Sequence, residues 1–242
     1  MQLVLLIVAL VWATNSWAAV AHVQEKNHTV CCSQNSITIT TDSNVTGGNA
    51  LALAIFSDTV ALSISSIDVS SCQGNTFTHA GDNPGNANVE GWGYYAANIS
   101  GGACSITVTM SGTAVLLAVR LHEISGAATA SPLDQHAGAV QSSPGTGANA
   151  VTTGSVTTTT NGQYIFAAMV STGTSTPSAG TGYTGVGGTG SGISEYQVQG
   201  SAGSIAGTFT QATEGFNVAS ILMTFKEDAG GGSTYFYKRR GQ

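Results

Sequence analysis

Polar and apolar positions alternate with period two at four places along the chain: Ser36 to Thr41, Ser63 to Val69, Ser105 to Met110 and Ser155 to Thr160. In each, Ser or Thr marks one side, and an aliphatic residue or a second Thr marks the other. That is the pattern of a strand with one wet and one dry face. Four further runs are apolar almost throughout: Leu51 to Phe56, Val115 to Leu121, Tyr164 to Val170 and Ala219 to Phe225. Strands covered on both sides read this way, so these four are expected at the centre of the fold. Thr46-Gly47-Gly48-Asn49, Gly74-Asn75, Ser100-Gly101-Gly102, Asn161-Gly162 and Gly200 to Gly203 separate the runs as turns. No stretch after residue 21 keeps a 3.6-residue period between helix caps, so almost no helix is expected.

The order of segments repeats. Ser36 to Thr41 followed by Asn49 to Phe56 returns as Ser155 to Thr160 followed by Asn161 to Phe166. Ser105 to Met110 with its sequel Val115 to Glu123 returns as Ser204 to Phe209 with Ala219 to Glu227. The spacing predicts two pseudo-repeats, about 36–123 and 155–227. A lone sheet of four to six strands leaves one apolar face bare, so the copies are expected to pack face to face as a single antiparallel β-sandwich over residues 22–229. The Gly/Ala/Ser/Thr-rich stretch from Ser125 to Gly154 reads either as a linker or as the long crossover of a sandwich.

Several fragments carry a resemblance: Ala21-His22-Val23-Gln24, Gly48-Asn49-Ala50-Leu51, Gly74-Asn75-Thr76-Phe77, Tyr94 to Ile99, His122 to Gly126 and Ser131-Pro132-Leu133-Asp134. Over about residues 21–228 the chain resembles a poorly characterised domain of exported bacterial and phage-associated proteins. That domain looks like a concanavalin A-like or lectin-type jelly roll. The resemblance implies an all-β jelly-roll fold and brings no catalytic set. The cysteines and the C-terminal tail lie outside its pattern.

Composition narrows the function. Charged residues make up 7% of the 242-residue chain, against 42% hydrophobic, so solubility rests on Ser, Thr, Asn and Gly. Before Gly230 stand twelve acidic residues and three basic ones, Lys26, Arg120 and Lys226, a formal charge of −9. Such a surface does not neutralise a phosphate backbone, which excludes nucleic acid as a partner of the body. Leu3 to Ala13 is an apolar run of signal-peptide length, too short to span a bilayer. Ser16-Trp17-Ala18 and Ala19-Val20-Ala21 both suit signal peptidase, so residues 1–21 read as a signal peptide and the protein as secreted. No basic residue precedes the run.

Four cysteines suit an oxidising compartment. Cys72 ends one strand-like run and Cys104 begins another, which makes them the favoured disulfide. Cys31 and Cys32 are adjacent, which makes a bond between them strained; three fates stay open, a bond to another chain, free thiols, or competition for the other two.

Candidate chemistry concentrates at residues 82–95. Asp82, Asn83, Asn86, Asn88 and Glu90 gather oxygen ligands of the kind calcium takes, and ordinary turns use the same residues. Trp92, Tyr94 and Tyr95 follow as a stacking platform for sugar rings, with Asn86 and Asn88 to bind hydroxyls; residues 92 and 94 share one strand face, which equally fits core. Glu90, Glu123 and Glu195 are the strand-borne carboxylates a glycosidase would need in a facing pair. Arg120 and His122 share a face with Glu123 opposite, and a buried Arg120 is expected to pair with a carboxylate on a neighbouring strand. Gly185 to Gly190 matches Gly-x-Gly-x-x-Gly without a following helix, a weak phosphate signal. After a Gly230-Gly231-Gly232-Ser233 spacer, Tyr235, Phe236, Tyr237, Lys238, Arg239 and Arg240 form either a plain tail or a docking peptide. Together these features predict a non-enzymatic secreted or surface protein. It is either a carbohydrate-binding or adhesive module, or a subunit of an extracellular assembly whose partners are copies of itself. A phage-particle protein and a glycan-processing enzyme are the alternatives.

Overall fold

The structure, a computed structural model, describes residues 19–81, 83–143, 149–173, 175–189, 191–211 and 216–228. The signal-like run, the tail and Asp82 lie outside the described residues. Every regular element among those described is a β-strand and every pairing is antiparallel. In chain order the strands are β1 (Ala21–Thr40), β2 (Ala50–Ser57), β3 (Ile64–Asp68), β4 (Thr78–His79), β5 (Glu90–Ala96), β6 (Ser105–Ser125), β7 (Leu133–Ser143) and β8 (Asn149–Thr152). There follow β9 (Val156–Thr157), β10 (Gln163–Ser171), β11 (Ser178–Ala179), β12 (Thr184–Thr189), β13 (Gly192–Gln199), β14 (Ser204–Ile205), β15 (Thr208–Gln211) and β16 (Phe216–Phe225).

Two main sheets organise these strands. One runs β1-β6-β2-β5-β4, with β3 also paired to β6; the other runs β12-β13-β10-β16-β7. Their facing sides share one apolar core. Ala50, Ala52, Ala54 and Phe56 of β2 meet Tyr164, Phe166, Ala168 and Val170 of β10 and Ala219, Ile221 and Met223 of β16. The fit is large against small: a Cβ on Gly91 would press on Phe56 and Ile221, and one on Gly93 would sit 3.3 Å from Ile221. The other faces are covered too. Leu51, Leu53 and Ile55 of β2 enter a second core, and Ile165, Ala167 and Met169 of β10 a third. Both β2 and β10 are buried along their full length, as their unbroken apolar runs predict.

The second core is closed by the first sheet folding over itself. Ile106, Val108 and Met110 of β6 lie in it, and so do Leu117, Val119 and Leu121. The inward positions switch from even to odd between residues 110 and 117, so the strand turns a corner there. In β1, Ile37 and Ile39 lie in this core while Val30 packs against it from before the corner. The ladder to β6 is irregular at Cys31/Gln34 and Gln34/Ser36, and Cys32 and Ser33 hold φ of 74° and 65°. Two strands expected at Ser105 to Met110 and Val115 to Leu121 are thus one bent strand. The buried Cys72–Cys104 disulfide, 32 residues apart in sequence, ties the turn after β3 to the start of β6. The pairing expected of these cysteines is present.

The third core is roofed by the small sheet β11-β15-β8 and the β9-β14 pair, with Val151 and Phe209 pointing in. The segment Ser125 to Gly154, read as linker or crossover, holds β7 and β8. Its alternation is masked by Gly, Ala and polar residues on an edge strand. Gly207 sits where this roof meets β10: a Cβ there would overlap Ala167 and stand 2.8 Å from Thr153. Gly207→Ala is expected to destabilise the protein by about 1–3 kcal/mol through overpacking, measured by equilibrium urea unfolding.

Candidate functional site

The second core opens to the surface along one edge. Between β3 and β5, Ile64, Ile67, Val69, Phe77 and Tyr94 line a groove of ≈ 330 Å³, with Ser66 and Thr76 supplying hydroxyls. Tyr94 is half-buried, and burial pushes its phenol above the usual range. The His79 ring lies 5.0 Å from the Tyr94 ring at a tilted angle, because β4 sets His79 opposite Tyr94. His79 Nε2 is 2.8 Å from Asn83 Oδ1. Two aromatic rings, an aliphatic floor and the hydroxyls of Ser66 and Thr76 therefore line one groove, with His79 set against Tyr94.

Of the predicted platform, the structure brings only Tyr94 to this groove. Trp92 shares the face of Tyr94 but is 4% exposed and packs in the second core. Tyr95 points to the opposite side, against Phe225 in the inter-sheet core. Asn86 and Asn88 serve a turn. Asn86 Oδ1 accepts the backbone N–H groups of Asn88 and Val89, while its Nδ2 donates to Asn217 Oδ1 at 3.2 Å. Of the calcium candidates, Asn83 belongs to the His79 pair. The Glu90 carboxyl is half-buried, shifted upward by burial, and its Oε2 has no hydrogen-bond partner. Among the described residues no three His, Cys, Asp or Glu side chains gather as a metal site. Phe77 and His79, missed as site residues in sequence, follow a Gly-Asn turn, Phe77 just before and His79 within a strand of only two residues, too short for a periodic signal.

The three strand-borne carboxylates do not converge. Glu123 lies beside Leu51 and Glu90 beside Ser57, six residues apart on β2 and so about 20 Å at the rise of a strand. Glu123 accepts from Thr46 N–H at 2.8 Å, Asn49 Nδ2 at 2.6 Å and Gln24 Nε2 at 2.6 Å. Glu195 points to the third core, where its carboxylate accepts the N–H groups of Gly180 and Thr208, each at 2.9 Å. Burial pushes Glu195 up to about 7, against the lowering pull of those two N–H groups. The Gly-x-Gly-x-x-Gly match falls on strand β12, paired to β13.

A buried polar chain crosses between the sheets on their β1/β13 side. Glu25 Oε2 is 2.8 Å from His22 Nε2, and His22 Nδ1 is 2.9 Å from Tyr164 Oη. Tyr164 Oη is 2.9 Å from His122 Nδ1, and His122 Nε2 is 2.9 Å from Ser194 Oγ. A neutral imidazole offers one donor and one acceptor. With Glu25 ionised, every member is satisfied when Ser194 donates to His122, His122 to Tyr164, Tyr164 to His22, and His22 to Glu25. Burial, helped by the nearby His22, holds His122 well below the ordinary histidine range. The chain spans 142 residues of sequence between His22 and Tyr164, so no local pattern announces it.

Arg120 departs from expectation. It shares a face with His122, as predicted, but among the described residues no carboxylate is in salt-bridge contact with it. Its Nη1 donates to the carbonyls of Val119 at 2.9 Å and His28 at 3.2 Å and to Thr29 Oγ1 at 3.2 Å. Desolvation pushes it down to about 10, still charged at neutral pH. Carbonyl dipoles take the role given to a counter-ion, and Gly192 leaves the room: a Cβ there would collide with the guanidinium.

Compared with known proteins, the chain matches no family model, no curated protein and no solved structure.

Two buried groups give stability opposite pH slopes. The unfolded chain binds a proton at His122 that the fold refuses, so acidification below about 6.5 removes stability. Glu195 binds in the fold a proton that the unfolded carboxyl releases, so its contribution is full below about 4.5 and is lost as pH rises through about 7. Glu195→Gln isolates the second term. In urea unfolding the stability gap between wild type and variant should be about 1–3 kcal/mol wider at pH 5 than at pH 7.5.

Proposed function

We propose that the chain is an exported, non-enzymatic binding module whose ligand is a glycan held in the groove beside Tyr94. The observation that carries the reading is the groove itself: aromatic rings of Tyr94 and Phe77 at an open mouth rimmed by Ser66 and Thr76. Sugar C–H faces pack on aromatic rings while hydroxyl and amide groups take the sugar hydroxyls. The low charge of the body suits a neutral ligand better than an ionic one.

The finer fold reading belongs with this one. We read the two main sheets as descendants of one repeat arranged as a lectin-type sandwich. The orders β1-β6-β2-β5-β4 and β7-β16-β10-β13-β12 run alike, β3 apart, with β7 rather than the β9 segment of the expected repeat standing opposite β1. Each places a fully buried strand at its centre and carries a smaller outer layer.

Val20 is 3% exposed in the inter-sheet core, which bears on where a signal peptide would be cut. Cleavage after Ala21 would remove that side chain, whereas cleavage after Ala18 keeps it. Mass spectrometry of the secreted protein should find Ala19 as the first residue.

A glycan array probed with the purified protein should give hits that Tyr94→Ala weakens at least about tenfold, the loss of one stacking contact of about 1.5 kcal/mol or more. Trp92→Ala should instead cost about 3–5 kcal/mol of fold stability. An array without hits, or hits indifferent to Tyr94→Ala, would sink the reading.

A further inference from the structure

The corner of β1 carries adjacent thiols in an unusual setting. Cys31 and Cys32 are both exposed, and their Sγ atoms lie 2.6 Å apart, about 0.6 Å beyond a disulfide bond length. Cys32 and Ser33 both sit in the left-handed region, at φ 74° and 65°. Glycine takes that conformation without steric cost, and the chain places glycine at positive φ nine times among the described residues, Gly48, Gly74 and Gly162 among them. Six non-glycine residues among those described share it, and Cys32 and Ser33 are the one adjacent pair of them, so the corner is the point where the two thiols are held in a fixed, tightly turned backbone. The competition left open by sequence is resolved: Cys72 and Cys104 are bonded to each other and buried.

We propose that Cys31 and Cys32 form a redox site that closes on itself, giving a vicinal disulfide by exchange with a small-molecule disulfide. The Cys31 thiolate attacks one sulfur of the small disulfide and expels a thiolate, leaving a mixed disulfide on Cys31. The Cys32 thiolate then attacks Cys31 Sγ and expels the second small thiolate. The two cysteines lose two electrons and two protons, and the small disulfide is reduced to two thiols. The Cys31 contact raises the Cys32 thiol above its usual range, so closure runs faster in mildly alkaline solution. The bond fixes the turn at which β1 folds over, where the ladder to β6 is broken.

The test uses the full secreted chain in oxidised glutathione, followed by denaturation, alkylation without reduction, and intact-mass and peptide analysis. The expected product is a monomer with no adducts, lighter by about 2 Da than the form holding only Cys72–Cys104, the two hydrogens of one disulfide. Reduction should restore alkylation at both Cys31 and Cys32. With Cys32→Ser, Cys31 should stop at one stable glutathione adduct, with Cys72–Cys104 intact and the far-ultraviolet circular dichroism unchanged. Two alkyl groups or two glutathiones on the wild-type pair would overturn the proposal, as would a disulfide-linked dimer through either residue or a Cys32→Ser variant whose Cys31 takes no glutathione.

Discussion

The structure depends on one constraint: its two central strands, β2 and β10, have no wet face. A strand buried on one side needs one partner layer; a strand buried on both needs two. Each main sheet therefore shares its inner face with the other sheet and must find a cover for its outer face from its own half of the chain. The first half does this by bending the β1/β6 pair over Leu51, Leu53 and Ile55. The second does it with separate short strands over Ile165, Ala167 and Met169. The bend at Cys32 and Ser33, the disulfide sealing the turn and the packing of Gly207 against Ala167 all answer to this demand. So does the groove: where the folded-over layer ends at β3, the second core is left open beside Tyr94 and Phe77.

Polar groups inside such a stack are costly unless bonded, since each orphaned buried group costs about 1–3 kcal/mol. The Glu25-His22-Tyr164-His122-Ser194 chain meets that condition, and it does so with side chains from both main sheets. A register slip of one residue in β10 would turn Tyr164 to the other face of its sheet and leave His122 without its Nδ1 partner. The chain adds little net attraction, but it penalises wrong pairings of the two sheets. Arg120 works differently: it is anchored within its own sheet, to β1 and β6 carbonyls, and its Nε has no partner.

Much of the scaffold was legible because burial writes itself into period and composition. The four apolar runs lie in β2, β6, β10 and β16, and the Cys72–Cys104 bond follows from strand ends meeting at a turn. What escaped were edges. The first half of β1 alternates Gln24, Lys26 and His28 with Val23, Glu25 and Asn27, polar on both sides, and reads as loop. In β7, Gly and Ala dilute the alternation. At the groove, parity correctly paired Trp92 with Tyr94, but depth decided which of them reached solvent, and depth depends on where β3 ends. Tyr95 follows Tyr94 directly, and a period of two sends adjacent residues to opposite faces.

The edge of β1 also weighs on the choice between a binding module and an assembly subunit. A free edge of twenty residues is an invitation to strand addition by a second copy, and a chain with 7% charged residues has few charges with which to refuse it. Two of them are placed here. Glu25 and Lys26 stand on β1, the latter paired with Asp42. The ladder is kinked at His22/Gln24 and again across Cys31 to Ser36, so no long straight run of free backbone groups is presented. Bulges and charges on an edge are the devices by which β proteins stay apart. Their presence on β1 is consistent with the proposed reading of a binding module and shortens the regular edge to the run from Gln24 to Cys31.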